Sequence, residues 1–176
     1  MKRKLIIAFS TLILLLCGFI LFQYLSLPDG NSIQSREKLL EDKSDGTTWN
    51  IEIEQEFQKY ILCGIYDNKA RAGIAIFEPT LRGYKLNSKC WGSSSDEIIT
   101  TQFIIDSKLY DIVWFNEPNA EYVELNYSYG NGEQMTGQFQ IEDREIICNP
   151  APSNEYNLEV VYYDDNGKSY TNAALN

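Results

Sequence analysis

The chain has 176 residues, of which 44% are apolar, 13% aromatic and 23% charged, and this composition predicts one folded domain rather than a collagen-like or disordered protein. Histidine is absent, which excludes Ser-His-Asp triads, Cys-His dyads and imidazole metal sites. Without Lys2, Arg3 and Lys4, the chain holds 12 basic and 25 acidic residues, a formal charge of -13. A surface of that sign repels phosphate backbones, so no nucleic-acid partner is expected.

An uncharged apolar run over residues 5–27 predicts a transmembrane helix, since its length spans about 30 Å of hydrocarbon at ~1.5 Å per residue. The positive-inside rule places the basic residues 1–4 in the cytoplasm and everything after residue 27 outside, so we expect a single-pass protein of the cell membrane. Two alternatives involve cleavage. A signal peptide normally has a shorter apolar core, and lipoprotein processing at Cys17 normally requires a small residue where Leu16 stands.

Residues 28–47 are polar, and we expect them to form a stalk that buries no core, with one or two helical turns around residues 36–43. The extracytoplasmic domain is expected to span residues 48–176. Its first segment fits two periods. Trp49, Ile53 and Phe57 lie four residues apart, as on one helical face, whereas Trp49, Ile51 and Ile53 alternate as in a strand. A short helix leading into the first strand is the preferred interpretation.

From residue 60 onward, short apolar or alternating runs are separated by turn residues at intervals of about 12, which is typical of an antiparallel all-β domain. The predicted strands cover residues 60–66, 72–77, 84–91, 97–105, 109–115, 122–129, 134–141, 145–148, 157–163 and 168–173. The connections are too short for crossover helices. We predict an antiparallel β-sandwich, with a small up-and-down barrel as the alternative. The serines at 93–95 and the prolines at 150 and 152 are expected to carry the chain between sheets.

The segment from residue 122 to 168 contains the sequences VELNYSYGNGEQ, IICNPAP and LEVVYYDDNGK. In this hairpin pattern it resembles membrane-anchored, β-rich ectodomains of Gram-positive bacteria. The resemblance covers under a third of the chain. It implies a cell-envelope setting and no particular activity.

Three cysteines follow the apolar run, Cys63, Cys90 and Cys148, and they allow at most one internal disulfide. Buried free thiols are the preferred interpretation, because a chain of this length builds a core without disulfides. A single bridge is the alternative. A cysteine nucleophile is not expected, since no histidine is present to deprotonate it.

Carboxylates are the catalytic class that the composition leaves open, because glycoside hydrolysis requires only two of them. The candidates are Asp106, Asp111, Glu142, Asp143, Asp164 and Asp165. All of them lie in or beside predicted turns, where acidic residues are expected for solubility and for hydrogen bonds to the turn backbone. The group Asp164, Asp165 and Asn166 does not match EF-hand spacing, so neither a metal site nor a cofactor is predicted.

Aromatic residues are abundant, with 12 Tyr, 8 Phe and 3 Trp. Only one face of an alternating strand enters a core, so at least one ring on each tyrosine-rich strand should lie outside, where it can stack on a sugar or anchor a protein interface. The candidate binding residues are Tyr127, Tyr129, Tyr162 and Tyr163.

Together these features predict a membrane-anchored, extracytoplasmic binding module of the bacterial cell envelope that has no catalytic activity. Its partner is expected to be a cell-surface protein or a glycan. One alternative function is a carboxylate-dependent hydrolase of an envelope glycan. Another is an acidic inhibitor or immunity-like partner of a basic secreted protein, which would use the charge of -13 for electrostatic steering.

Overall fold

The structure is a computed structural model that describes residues 13–22, 24, 27–41, 46–93, 98–115, 120–141, 146–152 and 155–172. Within these ranges lie two short helices, α1 (13–22) and α2 (Ile33–Leu40). The strands are β1 (Trp49–Phe57), β2 (Tyr60–Asp67), β3 (Arg71–Thr80), β4 (Gly83–Ser93), β5 (Ile98–Ile105), β6 (Lys108–Phe115), β7 (Ala120–Tyr129), β8 (Gln134–Gln140), β9 (Ile146–Pro150), β10 (Tyr156–Asp164) and β11 (Ser169–Asn172). The described strand pairs are all antiparallel, so the prediction of an antiparallel all-β domain is confirmed.

The predicted membrane span lies only in part within the described residues, which include 13–22, 24 and 27 of its 5–27 range. The basic residues at positions 2–4 lie outside the described residues. In the part of the chain that the structure describes, no helix has both the length and the apolar character needed to cross a bilayer. The side chains of α1 are exposed, and among them Leu14 and Phe22 expose 72% and 70% of their surface.

The strands form three sheets, in the orders β1-β2-β3-β4 (sheet I), β5-β6-β9 (sheet II) and β11-β10-β7-β8 (sheet III). One buried cluster joins Ile74 of sheet I to Trp114 of sheet II. A second cluster joins Val113 of sheet II to Leu125 of sheet III. Sheet II is therefore the middle layer, and the domain has one layer more than the predicted two-layer sandwich.

Burial of sheet II on both faces explains the apolar run at residues 112–115 of β6, and every residue from Tyr110 to Phe115 is buried. Alternate side chains enter different cores, so that Trp114 faces sheet I while Phe115 faces sheet III. Gly64 of β2 permits the contact between Trp114 and sheet I. A Cβ atom there would lie 2.4 Å from Cε2 of Trp114, so the indole packs directly on the backbone of β2.

The chain passes between sheets several times. The connection after Ser93 leads from sheet I to sheet II, and the connection containing Pro152 leads from sheet II to sheet III, as the sequence predicts. Two further crossings follow β6 and β8. As a result β9 returns to sheet II after β7 and β8 have joined sheet III.

Residues 49–57 form β1, so the preferred prediction of a short helix there is wrong. The register of β1 against β2 shifts between Ile51 and Ile53, which marks a bulge. The bulge exchanges the faces of the strand: Trp49 and Ile51 pack on the α2 side, whereas Ile53 and Phe57 pack between sheets I and II.

Helix α2 packs on the outer face of sheet I, which corrects the expectation that residues 28–47 bury no core. Ser32 caps the helix and accepts a hydrogen bond from the N–H of Ser35 at 3.2 Å. Leu40 is fully buried in the cluster under the helix. Arg36, only 6% exposed, donates from Nε and Nη2 to the two carboxylate oxygens of Glu54 at 2.6 and 2.7 Å. This ion pair joins α2 to β1.

Candidate functional site

Sheet III packs on sheet II through one face and turns the other toward solvent. We call this outer surface the tyrosine face. Strand register places on it Tyr122, Glu124, Asn126 and Ser128 of β7, Gln134, Thr136, Gln138 and Gln140 of β8, Asn157, Glu159, Val161 and Tyr163 of β10, and Ser169 and Thr171 of β11. None of these positions holds Lys or Arg. The strip is about 20 Å long, because six steps along β7 advance ~3.4 Å each.

Two tyrosines from neighbouring strands form the aromatic end of the tyrosine face. Tyr122 and Tyr163 lie opposite each other in register, and their rings stack with centroids 4.4 Å apart and planes at 11°. The hydroxyl of Tyr163 donates to Oε2 of Glu124 at 3.1 Å. Desolvation and the Glu124 carboxylate both raise the pKa of Tyr163, so the hydroxyl stays protonated and keeps this bond at neutral pH.

Of the four tyrosines predicted to bind, the structure places only Tyr163 on the tyrosine face. Tyr127 and Tyr162 are 1% and 2% exposed and belong to the core between sheets II and III, so neither lies on an outer face. Tyr129 is partly buried against the same core. The prediction missed Tyr122. The alternation of Tyr122 and Glu124 with the core residues Val123 and Leu125 is the signal that could have located it.

A second constellation surrounds Asp111, which lies fully buried within β6. The hydroxyl of Tyr156 lies 2.7 Å from Oδ1 and 2.9 Å from Oδ2 of Asp111, and Nε2 of Gln102 donates to Oδ1 at 3.0 Å. Beside it, Nδ2 of Asn149 donates to the hydroxyl of Tyr127 at 2.7 Å. Asp111 pairs in register with Gln102 and Asn149, so it lies within the predicted strand 109–115, near the turn that precedes β6.

The other candidate carboxylates lie elsewhere. Asp106 forms an ion pair with Lys59 at 2.6 Å. Asp164 accepts hydrogen bonds from the backbone N–H groups of Lys168 and Asn166 in its own hairpin turn, and these bonds hold its pKa below the usual range. Asp165 is exposed in that same turn. Glu142 and Asp143 lie outside the described residues. Each described candidate is thus held by a different set of neighbours, rather than in the facing pair that glycoside hydrolysis uses.

No group of three or more cysteine or acidic side chains suited to a metal ion occurs among the residues that the structure describes. All four cysteines lie within the described residues, and none of them is joined to another in a disulfide. Cys63 is buried, Cys90 and Cys148 are partly buried, and Cys17 is exposed. Burial, with a smaller effect from Glu54, raises the pKa of the Cys63 thiol, so this group is a poor nucleophile at neutral pH.

The tyrosines around Asp111 lead to a testable pH dependence. Burial raises the pKa of Tyr127 and of Tyr156, and the hydrogen bond to Asp111 raises that of Tyr156 further. Tyrosines of the unfolded chain ionise near pH ~10, whereas these two stay protonated in the folded protein. Their contribution to the free energy of unfolding is therefore present below that pH and is lost as the pH rises above it. We expect the Tm of the wild type to fall as the pH rises above ~10, and the Tm of Tyr156→Phe to fall less steeply.

The matched control for this pH dependence is Tyr84→Phe in sheet I, away from the Asp111 network. Thermal unfolding is followed by circular dichroism between neutral pH and pH 11. Equal alkaline slopes in the wild type and in Tyr156→Phe would show that the network does not control the titration.

A cleft of about 450 Å³ opens where edge strands of the three sheets, β1, β8 and β9, lie near one another. Phe57, Phe139 and Ile147 contribute apolar surface to it, and Gln55 contributes an amide. Oε1 of Gln55 accepts the backbone N–H of Ile146 at 2.9 Å, which satisfies one donor on the edge of sheet II. Among the described residues that line the cleft, none has a charged side chain.

The chain matches no protein-family model, no curated protein and no solved structure. Its function must therefore be argued from its own residues. Among the three constellations, the Asp111 network is buried and its carboxylate is occupied by internal hydrogen bonds. The tyrosine face combines exposure, aromatic rings and hydrogen-bonding groups over a continuous surface.

Proposed function

We propose that this protein is a membrane-anchored, extracytoplasmic binding module of the bacterial cell envelope, without catalytic activity, and that its tyrosine face binds an uncharged glycan. The observation that carries the proposal is the composition of this face. Amide and hydroxyl side chains, exposed on β8 and half-buried on β7, cover a strip about 20 Å long beside the stacked rings of Tyr122 and Tyr163.

A glycan fits this surface better than other classes of partner. Sugar hydroxyls pair with amides and hydroxyls such as those of Asn126 and Thr136, whose side chains already hydrogen-bond each other at 2.8 Å. The edges and outer surfaces of the Tyr122 and Tyr163 rings offer apolar area to a sugar ring. The cores of protein interfaces are more apolar than this face. Anionic polymers are disfavoured because the face carries Glu124 and Glu159 and no cation.

The sequence supports the membrane anchor. Residues 5–27 carry no formal charge and follow a basic cluster at positions 2–4, which favours an N-terminus in the cytoplasm. The exposed apolar side chains of α1 have the character of a lipid-facing surface. On this basis the β domain lies outside the cell, where envelope glycans are found.

Two alternatives receive less support. A carboxylate-dependent hydrolase requires two facing acidic side chains, and the described candidates Asp106, Asp111 and Asp164 are each held by other partners. An acidic inhibitor of a basic secreted protein would use the net charge instead of the tyrosine face. Its association rate would fall steeply with added salt, whereas stacking on a neutral sugar would not.

The test compares glycan binding by two single variants of the full chain in detergent micelles. On an array of neutral and acidic oligosaccharides, we expect the wild type to bind neutral members and Tyr163→Ala to bind them about tenfold more weakly, since buried aromatic anchors dominate such interfaces. Trp91→Ala is the matched control, because it removes a ring that is 49% exposed on sheet I. Equal affinity of Tyr163→Ala and wild type, or binding confined to acidic glycans, would contradict the proposal.

A further inference from the structure

The turn between β3 and β4 lies against the segment that precedes α2. The N–H of Tyr84 donates to the carbonyl of Asp29 at 2.7 Å, and Nδ2 of Asn31 donates to the carbonyl of Arg82 at 2.8 Å. The contact is close enough to require glycine. At Gly83, where φ is 147°, a Cβ atom would lie 2.2 Å from the carbonyl oxygen of Asp29. The hairpin and this segment therefore form one docked unit.

Arg82 extends this contact to the end of the apolar segment. Its guanidinium lies 4.4 Å from the ring centroid of Tyr24, and it donates to the backbone carbonyls of Tyr24 and Leu27, the latter at 3.4 Å. Leu81, at the tip of the same turn, has a fully exposed side chain. The tip of the hairpin thus places one apolar and one cationic side chain beside the last residues of the predicted membrane span.

We propose that the β3–β4 hairpin is a second membrane contact, in which Leu81 enters the lipid interface and Arg82 lies at the level of the headgroups. This inference rests on the proposed membrane anchor. Leu27 is the last residue of the apolar run, so a turn that contacts it lies at the bilayer surface. Tyr24 and Arg82 are residue types that favour the interface, where an aromatic ring or a long cationic side chain has one apolar and one hydrated part.

This contact changes the expected arrangement of the protein on the membrane. A polar stalk would let the domain move at a distance from the lipid. Instead, the hydrogen bonds of Asp29 and Asn31, together with the ion pair between Arg36 and Glu54, hold the start of the domain to sheet I. With Leu81 in the interface, the domain is attached at two points and has a defined orientation.

Tryptophan fluorescence in vesicles provides the test. The full chain is reconstituted into phosphatidylcholine vesicles with or without bromine on the acyl chains, as Leu81→Trp and as a matched control, Asp165→Trp, at the exposed turn between β10 and β11 of sheet III. After subtraction of wild-type emission, we expect the indole introduced by Leu81→Trp to be blue-shifted and quenched by bromine, and the indole of the control to be neither. Equal quenching in the two variants would overturn the inference.

A second variant and an extraction step separate this inference from the membrane anchor itself. Adding Arg82→Ala to Leu81→Trp removes the contact with Tyr24, and we expect bromine quenching to decrease. Resistance of the chain to extraction from the vesicles at alkaline pH shows independently that the anchor lies in the membrane. A chain that resists extraction while Leu81→Trp is unquenched retains the anchor and refutes the hairpin contact. A chain that is extracted at alkaline pH refutes both.

Discussion

Replacing Trp114 by alanine is expected to lower the free energy of unfolding by about 3–5 kcal/mol, the usual cost of deleting a large buried aromatic ring. Trp114 is completely buried in the middle sheet and packs on the backbone of Gly64. Its ring also meets that of Tyr66 edge-on, with centroids 5.3 Å apart. The neighbouring sheets cannot collapse into the space without breaking their strand pairing. Urea denaturation of the full chain in micelles, followed by circular dichroism, measures the change.

Two further tryptophan variants sharpen this result. Trp114→Phe keeps most of the packing and removes an indole N–H that has no hydrogen-bond partner among the described residues, so we expect a smaller loss than for Trp114→Ala. Trp91→Ala deletes a half-exposed ring and should change stability by less than either. A loss for Trp114→Ala no larger than that for Trp91→Ala would contradict the three-sheet packing described above.

Replacing Arg36 by alanine is expected to cost about 3 kcal/mol of stability, because it leaves a partly buried carboxylate without its cation. Glu54 receives both hydrogen bonds of the Arg36 fork, and Arg36 also donates from Nη1 to the carbonyl of Gly30 at 2.5 Å. One substitution therefore removes contacts from α2 to β1 and to the segment before the helix. The loss is measured by urea denaturation under the same conditions.

The exposed ion pair between Lys59 and Asp106 is the matched control for the Arg36 pair. Its two side chains are 52% and 59% exposed, so solvent and salt screen the interaction. We expect no measurable change in stability for Lys59→Ala. In a double-mutant cycle, Arg36→Met with Glu54→Met should recover part of the loss, since the double variant leaves no unpaired charge. Equal effects of Arg36→Ala and Lys59→Ala would refute a structural role for the buried pair.

The positions of the strands were largely predictable from the sequence. The predicted runs at residues 60–66 and 109–115 correspond to β2 and β6. The predicted hairpin turn at Asn166–Gly167 separates β10 from β11, because Gly167 supplies the positive φ that a tight turn requires. The number of layers was not predictable in this way. A continuous apolar run indicates burial on both faces, but it does not identify the sheet that covers each face.

The candidate site was predictable only in part. Alternation correctly separates the two faces of β10, but it does not reveal which face enters the core, and Tyr162 is the buried member of the pair with Tyr163. The position of Asp111 in a strand near the turn at Asp106 was predictable, but its complete burial was not foreseen. Its position between apolar neighbours in a buried strand was the available signal, since a buried carboxylate requires hydrogen-bonding partners. Of those partners, Gln102 lies on the other strand of the same hairpin, whereas Tyr156 lies 45 residues further along the chain.

The return of β9 to sheet II has a consequence for the order in which the sheets form when the chain emerges, N-terminus first, on the outer side of the membrane as proposed above. Sheet I joins strands that are consecutive along the chain, so it can form before the later strands have emerged. Sheet II must wait for β9, and β9 emerges only after the hairpin of β7 and β8. Sheets II and III therefore both stay incomplete until β9 and the strands after it have emerged. A chain truncated before residue 146 would leave both sheets unfinished.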